Sequence, residues 1–126
     1  MSKEVSKTTL PVVKMATENK KFRQVLWTGD HTQLVLMAIP AGGEIGGEVH
    51  EGHDQLLYFV EGQGEATIGE TKVPVQSGDV SIVPSGIFHN FRNTGTEMLK
   101  LYTTYSPPEH APGTEHVTKR EADADE

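Results

Sequence analysis

The stretch from Gly78 to Asn93 constrains this chain more than any other. It reads Gly78-Asp-Val-Ser-Ile-Val-Pro84-Ser-Gly86-Ile-Phe-His89-Asn-Phe-Arg-Asn93. A glycine turn leads into a short apolar run, a Pro-x-Gly turn follows, and His89 opens a second run. Proline and glycine this closely spaced rule out a helix and favour two short strands joined by a turn. A second set of fixed offsets lies upstream, where Gly42, Glu48, His50, Gln55 and Gly62 follow one another through similar turn chemistry.

The rest of the chain reads as all-β. Strands are expected at Thr32–Ile39, Glu44–His50, Gln55–Val60, Ala66–Ile68, Lys72–Val75, Val80–Val83, His89–Asn93 and Met98–Tyr105. Short strands separated by Gly/Pro punctuation suggest a sandwich or barrel. Helix signals are weak, a turn or two over Ala16–Gln24, and no internal repeat is evident. At 126 residues the chain makes one domain. Its expected organisation is an N-terminal arm over 1–24, a barrel over 25–105 and a flexible Pro- and charge-rich extension over 106–126. Trp27, Tyr58, Phe59, Phe88 and Tyr102 are expected in the core or cavity wall.

The downstream pattern, G-x5-P-x-G-x2-H-x3-N, resembles the second sequence motif of the cupin family at every fixed position. The upstream set matches the spacing of the first motif, G-x5-H-x-H-x4-E-x6-G, with Glu48 in place of the first histidine and Gln55 in place of the glutamate. The resemblance covers about residues 33–105 and points to small single-domain cupins of the mannose-6-phosphate-isomerase-like type. It implies a double-stranded β-helix, the jelly-roll barrel. It also implies that Glu48, His50, Gln55 and His89 hold one divalent transition metal per chain. Residues two apart on a strand share a face, so Glu48 and His50 converge if that face is the interior. Mixed N/O ligation without thiolate suits Mn, Fe, Co, Ni or Zn better than Ca or Mg.

Other histidines carry weaker signals. His53 follows Gly52 and is expected on a loop at the rim of the site, with Asp54 orienting the loop or a ligand. His110 and His116 lie in the Pro-rich extension, and His31 in a turn. His53, Glu109 and His110 are the candidates for a catalytic acid or base.

Charge narrows the partners. Residues 1–24 carry six cations against two acids, and residues 25–116 carry Lys72, Arg92 and Lys100 against twelve acids. So acidic a barrel repels nucleic acid, whose binding depends on neutralising phosphates. The expected ligand is a neutral or singly charged oxygenated molecule, such as a sugar, hydroxy-ketone or small keto acid. Arg92, three positions after His89, should point away from the cavity, which leaves Lys100 as the cation able to reach a phosphate. The chain has no cysteine, hence no disulfide or thiolate site. The N-terminal residues lack a signal-peptide apolar core, and the longest apolar run is too short to span a membrane. A cytoplasmic homodimer is expected, with Thr32–Ile39 or the N-terminal arm offering an apolar edge. Three functions fit: a metal-dependent isomerase, epimerase or lyase; an Fe(II) dioxygenase; or a non-catalytic ligand- or metal-binding module.

Overall fold

The structure, a computed structural model, describes residues 9–125. The expected N-terminal arm therefore lies partly outside the described residues. Helix α1 (Val12–Glu18) precedes strands β1 (Arg23–Thr28), β2 (Gln33–Ile39), β3 (Asp54–Glu61), β4 (Gln63–Ile68), β5 (Thr71–Gln76), β6 (Val80–Val83), β7 (His89–Asn93), β8 (Leu99–Ser106) and β9 (Glu115–His116). Helix α2 (Lys119–Ala124) follows. Two antiparallel sheets form, ordered β6-β3-β8-β2-β1-β9 and β5-β4-β7. No helix among the described residues is long and apolar enough to cross a membrane.

Alternation along the strands builds the core. In β8, Leu99, Leu101, Thr103 and Tyr105 are buried while the residues between them are partly exposed, the period-two pattern of a sheet packed on one face. Opposite them the smaller sheet contributes Ala66, Val75 and Phe91. Phe59 meets Phe91 across the interface with ring centroids 5.9 Å apart. Fully burying each of these large side chains contributes about 1.5–3 kcal/mol. β2 is buried at almost every position. It lies in the interior of its sheet, and α1 packs over β8, β2 and β3 on the outer face.

Several expectations are corrected. The helix runs over Val12–Glu18 rather than Ala16–Gln24, because Asn19 closes a turn with Lys21: its Nδ2 donates to Lys21 O, and its Oδ1 accepts from Lys21 N. Arg23 and Gln24 then belong to β1, not to an arm. β2 is paired on both sides and presents no free edge. Glu44–His50 is not a strand; it touches β7 through isolated bridges at Glu44–Arg92 and Glu48–His89. Between them Gly46 adopts φ +112° and its N–H turns to Asn90 Oδ1, so the segment bulges out of register. Trp27 and Phe88 are about half exposed, and Tyr58 stacks on Tyr102 at 4.7 Å while both remain partly exposed. Of the aromatics expected inside, only Phe59 is fully buried. Residues 106–125, expected to be flexible, instead carry β9, which pairs with β1, and α2, whose Ala122 joins the core.

Gly62 links β3 to β4 at φ +96°, and a Cβ there would sit 2.7 Å from Met98 O and 3.0 Å from Leu99 Cα. Gly62→Ala is therefore expected to destabilise the barrel by about 1–3 kcal/mol. Urea unfolding should show this as a lower midpoint with an unchanged slope. An unchanged midpoint would refute the reading of this turn.

Candidate metal centre

The site grows out of one backbone pair. Glu48 N donates to His89 O and His89 N donates to Glu48 O, both at 2.9 Å. A doubly bonded antiparallel pair sets the two side chains next to each other on one face. Two residues on, the loop carrying His50 is tied to the Pro-x-Gly turn. Gly86 N donates to His50 O, Gly52 N donates to Ser85 Oγ, and Ser85 N donates to Asp54 Oδ1. The two sequence patterns thus hold each other, and Asp54 orients the loop.

One donor atom from each of Glu48, His50 and His89 lies within 4.8 Å of the others. The expected convergence of these three holds. His89 is buried, and its Nδ1 donates to Ile87 O at 3.0 Å, which leaves the Nε2 lone pair free. His50 Nε2 stands 3.2 Å from Glu48 Oε1. The carboxylate is near enough to raise the imidazole, but its alignment leaves Nε2 buried without a well-directed hydrogen bond. Gln55 is buried at the start of β3, and its Nε2 donates to Thr103 Oγ1, whose hydroxyl donates on to Leu56 O. That chain fixes the amide and leaves Gln55 Oε1 buried and unpartnered. In register with Gln55 is Tyr105, whose ring meets His50 edge-on at 5.8 Å.

These donors suit a divalent transition metal. Zn–N and Zn–O bonds of about 2.0–2.2 Å place donors about 3.5 Å apart on a tetrahedral ion, inside the 4.8 Å that bounds this cluster. An imidazole nitrogen and an amide oxygen, both buried and unsatisfied, are the groups a cation would satisfy. Electrostatics agree. Burial pushes the Glu48 carboxyl up, but His50, Arg23 and His89 outweigh it, and the group ends below its usual range. The Glu48 contact raises His50, while burial lowers His89.

A cavity of about 520 Å³ opens beside Glu48 and His50. Glu109 and His110 line it, as do Arg23 and His116. Glu109 bridges two imidazoles, with Oε2 3.6 Å from His50 Nδ1 and Oε1 3.1 Å from His53 Nε2. His53 thus stands one residue back from the cavity, anchored through its Nδ1 to Pro107 O at 2.7 Å. The fully buried Gln33 brings the C-terminal segment here. Its Nε2 donates to His110 O, and its Oε1 accepts from the backbone N–H groups of Glu109 and His110.

Lys100 does not reach the cavity. Its ammonium donates to Thr17 O at the end of α1 and lies 3.9 Å from Glu61 Oε1. Arg92 points outward to Glu65, as expected. The cation in the cavity wall is Arg23, which the sequence reading assigned to the arm. Neither Arg23 nor Gln33 carries a local sequence signal, since each acts through a partner more than 70 positions away.

Two sheets wound as a double-stranded β-helix, with imidazoles and a carboxylate turned toward one mouth, define a cupin-type barrel. The chain belongs to the cupin family: the Cupin domain profile matches residues 35–105. The crystal structure of BH2720 from Bacillus halodurans superposes with a TM-score of 0.91 at 40% identity, covering 92% of each chain. The uncharacterized protein YrkC of Bacillus subtilis (strain 168) is 42% identical over 115 residues, 86% of this chain and 62% of that protein. An oxalate-binding protein of Thermotoga maritima is 34% identical over 65 residues, 52% of this chain and 54% of that protein. The chain thus spans less than two thirds of these curated relatives.

His110 makes the cavity sensitive to acid. Burial, aided by the charge of Arg23, pushes its imidazole down to about 4 from an ordinary 6.5. The unfolded chain therefore takes up the proton first as pH falls, so stability is lost between pH 6.5 and 4 and is unaffected above that window. The melting temperature of His110→Gln should fall less steeply than that of the wild type across this window. Parallel profiles would show that His110 is not held neutral.

Proposed function

We propose that the protein is a metal-binding cupin in which Glu48, His50, Gln55 and His89 hold one divalent transition ion per chain. Bound there, the ion supplies Lewis-acid polarisation to a small oxygenated substrate, in isomerase, epimerase or lyase chemistry. The observation that carries this reading is the pair of buried atoms without hydrogen bonds, His50 Nε2 and Gln55 Oε1, beside Glu48 and His89. The oxalate-binding relative supports small oxygenated acids as the substrates to test first.

The chain's own groups supply the proton chemistry. His53 Nδ1 donates to Pro107 O, and its Nε2 stands 3.1 Å from Glu109 Oε1. Glu109 meets the cavity and His53 does not, so Glu109 exchanges protons with substrate while His53 positions and recharges it. His110, held neutral, offers an uncharged ring to the same space.

An Fe(II) dioxygenase is the second reading. It is favoured by one feature, the set of two imidazoles and one carboxylate that typically leaves open coordination positions. Oxygen consumption with Fe(II) would select it over redox-silent chemistry.

Elemental analysis of protein purified without a metal-affinity column should find one transition ion per chain. His50→Ala and His89→Ala are expected to abolish binding, and Gln55→Ala to weaken it less, because water can replace a neutral amide oxygen. Should Gln55→Ala cost more than His89→Ala in a metal titration, the ligand assignment fails.

A cytoplasmic homodimer completes the proposal, paired through β6. That edge strand exposes Val80 and Ile82, at 46% and 61%, beside unpaired backbone groups. Light scattering should give twice the chain mass at micromolar concentration, and Ile82→Lys should halve it. A monomeric wild type would remove the dimer from the proposal.

A further inference from the structure

Arg23 is a buried cation without a direct ionic partner among the described residues, and the charge of Glu48 reaches it only from across the cavity they share. It is 6% exposed, at the start of β1, on the wall of the cavity shared with Glu48 and His50. Among the described residues, no carboxylate lies within ion-pair distance of its guanidinium. Nη1 donates to His116 Nδ1 at 3.3 Å, Cζ sits 5.4 Å from the Phe22 ring centroid, and Nε is buried without a partner. A guanidinium carries five N–H donors, and this one places a single donor on a described residue. Accepting at Nδ1 leaves His116 to donate from Nε2 to Asp125 Oδ2 at 3.0 Å. The bridging imidazole is then neutral, and the carboxylate behind it is 70% exposed. An unpaired charge away from water is costly unless a partner arrives.

We propose that Arg23 is a carboxylate-binding subsite and that the ligand of this cavity is a small organic acid. Its carboxylate lies on the guanidinium, while a second oxygen, carbonyl or hydroxyl, turns toward the Glu48–His50–His89 cluster. The subsite stands on Arg23 alone. Only the placement of the second oxygen rests on the metal-binding reading above. Charge selects carboxylate over phosphate. Glu48 and Glu109 line the same space, so a dianion meets repulsion, and phosphate recruits several cationic or N–H donors where this cavity offers one fixed cation. His116 positions the guanidinium, and the fork geometry distinguishes Arg23 from any lysine. Both flanking pieces, β1 with Arg23 at its start and the segment through His116, lie outside the residues matched to the family profile. The subsite is therefore built on segments that flank the matched domain.

Calorimetric titration of the full-length chain, metal-free and Zn(II)-loaded, tests this with pyruvate and glycolate, their amides, and inorganic phosphate. Pyruvate or glycolate should bind the metal-free protein, and Zn(II) should tighten binding at least tenfold. The amides should bind at least tenfold more weakly than the acids. Arg23→Gln should lose at least tenfold in acid affinity in both forms, and Arg23→Lys should fall between, with a circular-dichroism melt confirming that each variant folds. If Arg23→Gln unfolds, Arg23→Lys carries the comparison. Acid binding that is indifferent to both substitutions overturns the subsite, as does amide or phosphate binding equal to that of the acids. The absence of acid binding in both forms overturns it too. Arg23-dependent binding without any Zn(II) enhancement upholds the subsite and counts against the metal-binding reading instead.

Discussion

The reciprocal hydrogen bonds between Glu48 and His89 are the constraint on which the rest of the site depends. They join the connection between β2 and β3 to β7, the edge strand of the smaller sheet. Gly46 and the Asn90 carboxamide let the chain bulge just before this pair, so that Glu48 arrives in register and not one residue out. A slip of one position would turn both side chains to the opposite face. The Ser85–Gly86 turn then pins the next loop, which carries His50, and the first residue of β3, Asp54. Backbone geometry, more than side-chain packing, thus decides which groups meet.

Around that point the protein assembles an unusual balance of charge. Glu48 is held in its charged form by two imidazoles and an arginine, while His110 is held neutral by burial and by the same arginine. Tyr105, fully buried below, is kept protonated by desolvation. The cavity is therefore neither simply acidic, as the sequence charge suggests, nor simply basic. Local desolvation outweighs the net charge of the chain, because interactions between buried groups are screened far less than those at the surface.

Much of this was legible in the sequence, for a definite reason. Turn residues at fixed offsets report backbone constraints, and those constraints placed Glu48, His50 and His89 together. Asn93, the last position of the downstream pattern, shows why such an offset is fixed: its Nδ2 donates to Ile39 O and Glu97 O and its Oδ1 accepts from Gly95 N, closing the turn into β8. Arg23, Gln33 and the C-terminal wall were not legible. A polar residue in a strand says nothing of a partner 77 or 93 positions away, and Pro-rich composition hid a segment that Gln33 and the pairing of β9 with β1 hold in place. Lys100 lies between the buried Leu99 and Leu101, so strand alternation turns it to the outer face, where it meets the end of α1.

The separation of those partners has a bearing on how the protein comes into being. Barrel strands such as β3, β4 and β5 are near neighbours along the chain, whereas Arg23 waits for His116 and Gln33 for His110. Contacts between distant positions close late, since long loops must be immobilised before they are rewarded. During synthesis the sheets can gather while the cavity still lacks a wall, and the guanidinium remains in water until residue 116 has emerged. The pocket wall thus closes only after β8 has joined β2, because Gln33 and Arg23 wait on residues that follow β8 in the chain.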